Sequence, residues 1–370
     1  MIKFNDLFQQ YSSIKAEIDE AISSVIKDSA FIGGKYVEKF QEDFSHYHES
    51  NFCLGVANGT DALEIAIESL NLKKGSEIIV PANSFISSAE CVVRLGYKLI
   101  FCDVYSSNYT IDVEDLSKKI TSNTSAIIVV HLYGHPCEMN AIKNLCLNTD
   151  IKIIEDCAQA HGAKYKDKKV GTFGDIGCFS FYPGKNLGAY GDGGAIITNN
   201  ETLHTSCKMI ANHGRIQKYD HKFPGRNSRL DGIQAAVLNV KLKYLDGWTD
   251  LRNEVAEYYL DDLKDIDEII LPQKSKDVKH SYHLFVIRIN DRDVVQVKLR
   301  NLGIETGIHY PIALPKLMAF KNNQEQKLNT FFSNNNDKYL LSLPIGSHLN
   351  TKSLEEVTKK LRDVTASNKI

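Results

Sequence analysis

The sequence predicts an α/β fold with a large domain at residues 1–248 and a smaller α/β domain at residues 249–370. Two observations lead there. Over the first two-thirds of the chain, short apolar runs alternate with helical patterns. Past about Leu230 this texture gives way to a long helical stretch and then to mixed strand and helix.

The strand candidates are Phe52–Ala57, Glu77–Pro81, Leu99–Val104, Ala126–Leu132, Lys152–Glu155, Gly177–Phe181 and Gly194–Thr198. Ile, Val and Phe dominate them, as in strands covered on both faces. Helical spacing falls between them, for example over Thr60–Leu70 and Ala89–Leu95. Leu230–Leu263 reads as one long helical stretch with a break near Gly247-Trp248. In the tail, His283–Ile289 reads as a strand, and Asp293–Leu302 and Leu354–Leu361 read as helices.

Composition narrows the function. The 370 residues are 43% hydrophobic, enough for sizeable cores. With 44 basic and 46 acidic residues the net charge is −2, without the basic excess of a nucleic-acid binder. No run is long and apolar enough for a membrane span, and Met1–Asp6 does not open a secretory signal. The eight cysteines form no CxxC pair and several sit in strand-like runs. They are expected to be free, buried thiols in a reducing cytoplasm, and no metal site is expected.

Four strand ends carry candidate chemistry. Ser180-Phe181-Tyr182-Pro183-Gly184-Lys185-Asn186-Leu187-Gly188, followed by Gly191-Asp192-Gly193-Gly194, places a lysine just past a strand. A partly buried lysine there suits Schiff-base chemistry, although on spacing alone a solvated turn lysine is the commoner outcome. The glycines form no P-loop, because GxxxxGK[ST] is absent. Ile153-Ile154-Glu155-Asp156-Cys157-Ala158-Gln159-Ala160-His161-Gly162 runs an apolar strand into an acid. A carboxylate there can keep a pyridine nitrogen protonated or simply cap the next helix.

Val56-Ala57-Asn58-Gly59-Thr60-Asp61-Ala62-Leu63 offers free N–H groups at a helix start, which suit phosphate or ordinary capping by Asn58 or Thr60. Pro81-Ala82-Asn83-Ser84-Phe85 supplies an aromatic that can stack on a flat ring or join the core. Taken together, the four sites hold a phosphate nest, a ring stacker, a pyridinium partner and an amine.

With Gly225-Arg226-Asn227-Ser228-Arg229-Leu230-Asp231 added, these motifs make the chain resemble the sugar aminotransferases of the DegT/DnrJ/EryC1/StrS family. The likeness runs from Phe31-Ile32-Gly33-Gly34 into the C-terminal domain. The resemblance implies an aspartate-aminotransferase-like (fold type I) architecture, with a mixed, mostly parallel seven-stranded sheet. It also implies pyridoxal 5′-phosphate (PLP) as cofactor and a homodimer with shared active sites. Lys185 matches the Schiff-base lysine, Asp156 the partner of the ring nitrogen, Gln159 the residue near the ring hydroxyl and Phe85 the stacking aromatic. Gly59, Thr60 and Ser180 match phosphate ligands, and Asn227 matches one reaching in from the second subunit.

The amino donor implied is L-glutamate and the acceptor a dTDP- or UDP-linked keto-sugar. His213–Asp220, Asn227–Asp231 and Gly307–Pro311 resemble members acting at C3. Arg215, Lys218 and Arg229 could meet a diphosphate, with a solvated surface charge as the alternative. Tyr182, His309 and Tyr310 could line the sugar pocket or only pack. Where the family often has a histidine soon after His-Tyr-Pro, this chain has Ile312-Ala313-Leu314-Pro315-Lys316. Retention of Lys185 argues for amino transfer, because dehydratases of the family carry histidine there. The alternatives are amination at C4, a PLP-dependent dehydratase, or a non-catalytic sugar-nucleotide-binding regulator. The expected destination of the amino sugar is surface polysaccharide, such as lipopolysaccharide O-antigen.

Overall fold

The computed structural model describes residues 1–323 and 330–366. Seven strands build the main sheet: β1 (Phe52–Val56), β2 (Glu77–Pro81), β3 (Lys98–Cys102), β4 (Thr124–Val130), β5 (Lys152–Asp156), β6 (Ile176–Ser180) and β7 (Gly194–Thr198). Their order is β1-β7-β6-β5-β4-β2-β3. Every pairing among β2 to β6 is parallel, and β7 runs antiparallel to both β1 and β6. The seven expected strands are the seven observed, within a few residues at their ends.

Helices cover both faces. Side chains alternate across each strand, so Ile78 and Val80 enter one core while Ile79 enters the other. The first core takes α4 (Gly59–Ser69), α5 (Ser87–Arg94) and α8 (Glu201–Ala211). The opposite face takes α3 (Lys35–His48), α6 (Val113–Lys119), α7 (Met139–Leu145) and α9 (Gly232–Leu242). Phe40, Phe44, Phe179 and Phe181 form a cluster there with ring centroids 5.0–5.4 Å apart, edge-to-face in three of the four pairs and tilted between Phe40 and Phe44. Burying each such ring contributes about 1.5–3 kcal/mol. Two N-terminal helices, α1 (Leu7–Ser13) and α2 (Lys15–Lys27), precede the sheet, and Ile14 and Ile18 pack against α9.

The expected long helix over Leu230–Leu263 is two helices, α9 and α10 (Leu245–Asp262), and the break lies at Lys243-Tyr244. Gly247 sits inside α10, where a Cβ would meet no atom within 4 Å. Its weak helix preference is overridden by packing on either side, including Tyr244 stacked on Trp248. We propose that the two domains divide within α10, near the expected position 248/249. Leu245 and Trp248 pack with the large-domain clusters, whereas Val255, Ala256 and Tyr259 pack with the C-terminal one.

That second core surrounds a three-stranded antiparallel sheet, with β9 (Phe285–Ile289) between β8 (Ile269–Ile270) and β10 (Leu340–Leu343). Helices α11 (Arg292–Asn301) and α12 (Thr351–Ala366) cover it. All eight cysteines are free and buried. Among the described residues no helix is long and apolar enough to cross a membrane.

Candidate active site

The carboxyl ends of β1, β2, β5 and β6 meet at one place, as expected for a ligand site in an α/β sheet. At the end of β1, Asn58 caps α4 and its side chain accepts from Asp61 N–H at 2.8 Å. The first intrahelical bond is from Ala62 N–H to the Asn58 carbonyl at 3.1 Å. The N–H groups of Gly59 and Thr60 therefore precede the helical ladder and are free to bind an anion. Gly59 presses on the end of β6, where an added Cβ would lie 2.6 Å from Ser180 Cβ. Three expected phosphate ligands, Gly59, Thr60 and Ser180, are thus neighbours. The Thr60 hydroxyl is held at 2.8 Å by that of Ser87.

Asp156 closes β5 and is buried. Its Oδ2 accepts from Ser88 Oγ at 2.8 Å and its Oδ1 from Ala158 N–H at 3.1 Å. Burial pushes its carboxyl above the usual range, against the opposing pull of Ser88, Ala158 and the Lys185 ammonium. Lys185 follows β6 in a turn closed by its own N–H donating to the Tyr182 carbonyl at 2.8 Å. Burial pushes its ammonium down to about 8, with Asp156 opposing the shift.

Gln159 is fixed from both sides: Oε1 accepts from Tyr133 N–H and Nε2 donates to Tyr310 Oη, each at 2.8 Å. Phe85 lies 5.9 Å from the Tyr310 ring and is 52% exposed, so one face is open. His309 stacks on Phe4, and its Nδ1 lies 2.9 Å from Ser342 Oγ. Burial and the Lys185 cation lower its pKa to about 4, so its imidazole is neutral. Tyr182 is 60% exposed beside the lysine turn.

The donor set fits a flat, anionic, pyridine-based cofactor. A helix N-terminus stands for its phosphate, an open aromatic for its ring, a buried carboxylate for its ring nitrogen and a desolvated amine for its carbonyl carbon. Residues 12–362 match the profile of the DegT/DnrJ/EryC1/StrS aminotransferase family. The chain belongs to that family. It is 37% identical over 98% of its length, and 96% of the other's, to a dTDP-3-amino-3,4,6-trideoxy-alpha-D-glucose transaminase of Streptomyces venezuelae. It is 41% identical to a dTDP-3-amino-3,6-dideoxy-alpha-D-galactopyranose transaminase of Aneurinibacillus thermoaerophilus, covering 97% and 98% of the two chains. The crystal structure of S. venezuelae DesV in complex with a ketimine intermediate superposes with a TM-score of 0.95 at 37% identity, covering 98% of each chain. As a DegT/DnrJ/EryC1/StrS aminotransferase, the chain is a PLP-dependent enzyme.

Within one chain of this aminotransferase the remaining expected residues lie on the segment between α8 and α9, which Ser228 ties to the end of β1 by accepting from Ala57 N–H at 3.1 Å. Arg215 opens a short hairpin (Arg215–Gln217 with Asp220–His221), Lys218 is exposed at its turn and Asn227 is exposed just beyond. Arg229 is half-buried. Among the described residues none of these four forms a side-chain hydrogen bond or ion pair with the Lys185 group. Arg226 pins this segment to α4 through ion pairs with Glu64 and Glu68.

Several residues of the site escaped sequence reasoning. Ser84 and Ser88 are four apart, and their hydroxyls lie 2.8 Å from each other in a chain ending on Asp156. Tyr133 follows β4, which ends at Val130 rather than Leu132, so a fifth strand end was hidden in an apolar run. Glu155 faces away from Asp156 across the pleat. It accepts from Gly171, Phe173 and Gly174 N–H groups at 2.7 Å each, and its Oε2 lies 3.0 Å from His131 Nε2. His131 Nδ1 in turn accepts from Cys137 N–H at 3.0 Å, which fixes the neutral Nε2–H tautomer. His131, Glu155 and Cys157 approach within 4.8 Å, as metal ligands can. The imidazole and the carboxylate are already committed to hydrogen bonds, which makes the group a structural network.

Proposed function

We propose that this aminotransferase moves an amino group from L-glutamate to C3 of a dTDP- or UDP-linked keto-sugar, with Lys185 as the cofactor-bearing amine. The observation that carries the reading is a desolvated Lys185 facing the buried Asp156 carboxylate, beside the Gly59–Thr60–Ser180 cradle. Both transaminases named above carry a 3-amino sugar in their names, which supports C3.

When bound, PLP supplies the electron sink and carries nitrogen between the two substrates. The chain's own groups do the rest. Gly59 and Thr60 N–H groups, with the Thr60 and Ser180 hydroxyls, hold the phosphate. Asp156 keeps a proton on the ring nitrogen, while Phe85 and Gln159 bound the ring. Lys185 moves protons at the reacting carbons through Nζ. With a pKa of about 8, roughly a tenth of it is neutral at pH 7, against roughly one in three thousand at the ordinary 10.5.

We place Asn227 in the partner subunit's phosphate site within a homodimer, because in one chain it is exposed and makes no side-chain bond to the Lys185 group. Arg215, Lys218 and Arg229 then face the sugar nucleotide's diphosphate, and Tyr182, His309 and Tyr310 line the hexose. We further place the reaction in the cytoplasm, in keeping with eight free thiols, and its product in surface polysaccharide.

The test is ¹⁵N-glutamate with paired 3-keto and 4-keto sugar nucleotides, read by mass spectrometry. The expected product is a ¹⁵N-labelled 3-amino sugar. Labelling of the 4-keto compound alone overturns the position, and a deoxy product without ¹⁵N assigns a dehydratase. Lys185→Ala is expected to lose turnover by at least about a thousandfold, and normal turnover refutes the lysine's role.

A further inference from the structure

Asn186 follows Lys185 directly and is buried. Its Nδ2 donates to the Ser281 carbonyl at 2.8 Å. That bond orients the amide, since a carbonyl cannot accept from Oδ1. Oδ1 is left facing His283 Nδ1 at 3.2 Å. An amide oxygen only accepts, so Nδ1 carries the hydrogen and the neutral ring keeps its lone pair at Nε2.

Ser281 and His283 belong to the segment that enters β9 of the C-terminal unit. Arg252 on α10 fastens the same segment, with Nη1 donating to the Tyr282, His283 and Ile345 carbonyls at 3.0, 3.3 and 3.2 Å. One side-chain amide therefore joins the Lys185 turn to the second domain.

We propose that Asn186 and His283 are positioning residues for Lys185: the amide fixes the lysine turn against the C-terminal domain and holds the imidazole as its neutral Nδ1–H tautomer beside it. This rests on the reading of Lys185 as the cofactor-bearing amine, but it concerns residues which that reading leaves without a task. The surroundings agree. Burial, then the cations of Lys185 and Arg252, then His309 and His161, lower the pKa of His283 well below 6.5. Asp156, His161, His283 and His309 all act electrostatically on Lys185 or feel its charge, and burial lowers the pKa of all three imidazoles. The turn must stay closed for its amine to remain desolvated.

The experiment follows the pH dependence of Lys185 acylation by an amine reagent, quantified by peptide mass spectrometry, on the full chain without and then with added PLP. The wild-type midpoint is expected near 8. His283→Leu and Asn186→Leu release the turn, and their midpoints are expected to rise by about one unit toward the ordinary lysine value. His283→Asn keeps an N–H donor near the Nδ1 position and is expected to restore the wild-type midpoint. A merely structural role would lower the melting temperature of the leucine variants and leave their midpoints in place. Asn186→Ser, which disturbs volume less, gives the same reading if a leucine variant fails to fold. Unmoved midpoints in these variants overturn the proposal. PLP must protect wild-type Lys185 from the reagent. An unprotected lysine overturns the cofactor reading instead, so the two failures are distinct.

Discussion

Ser88→Ala isolates the hydrogen-bond chain behind Asp156. Ser88 Oγ donates to Asp156 Oδ2 at 2.8 Å inside a buried site, and Ala158 N–H is the other donor to that carboxylate. A hydrogen bond to a charged group contributes about 1.5–3 kcal/mol, equivalent to about one to two pKa units. Burial already raises the Asp156 carboxyl above 3.8, and Ser88 works against that rise. Its loss pushes the carboxyl higher still. The folded, cofactor-free protein then holds this proton more tightly than the unfolded chain does. That contribution is complete below the unfolded value of 3.8 and is lost as pH rises through the folded one. Ser88→Ala should therefore destabilise the cofactor-free protein by about 1.5–3 kcal/mol more at pH 8 than at pH 4. Placing Asp156→Asn in the same background should abolish the difference. Urea titrations at the two pH values read the effect. Equal destabilisation at both pH values refutes the reasoning.

Glu155→Gln replaces one accepting oxygen by an NH₂ group facing backbone N–H donors, and it should cost about 3–5 kcal/mol by urea unfolding at pH 7. Burial raises the Glu155 carboxyl, but His131 and the backbone donors outweigh burial and hold it below 4.5. Its stabilisation is thus present above 4.5 and lost as pH falls through the lower folded value, so the wild-type advantage over Glu155→Gln should shrink in acid. Gly59→Ala puts a Cβ within 2.6 Å of Ser180 Cβ and should open the phosphate cradle. A weakening of PLP binding by at least about tenfold is expected, with little change in the far-ultraviolet circular dichroism; binding as tight as wild type counts against the cradle.

The sheet was legible because its strands are covered on both faces and so read as unbroken apolar runs, as in Glu77–Pro81, where every residue is buried. The same property hid boundaries. Leu132 extends the apolar run past the end of β4, so the expected strand ran on to Leu132 and Tyr133, which fixes Gln159, was given no role. The helix break was misplaced for a related reason. Gly247 is the local signal, but the stacking of Tyr244 on Trp248, four residues apart, carries the helix through it. The site was legible only where one motif holds both the residue and its chemistry, as at Lys185 and Asp156. Ser88, Asn186 and His283 act through tertiary contacts, and Asn186 meets its partner 97 positions away. No spacing rule reaches across that distance.

The neighbouring carboxylates Glu155 and Asp156 show how one strand separates folding from chemistry. Alternation sends them to opposite faces of the sheet, and both are buried. Glu155 receives three backbone N–H bonds and one from His131, enough to outweigh desolvation and keep it charged. Asp156 receives two donors, and desolvation wins. A carboxylate saturated with fixed donors has little left to offer a ligand and serves to tie β5 to the loop that precedes β6. A carboxylate left short of donors gains most from one more, and a protonated ring nitrogen is such a donor. The shortfall at Asp156 is therefore a binding preference, and it places the site on the Asp156 face of the strand.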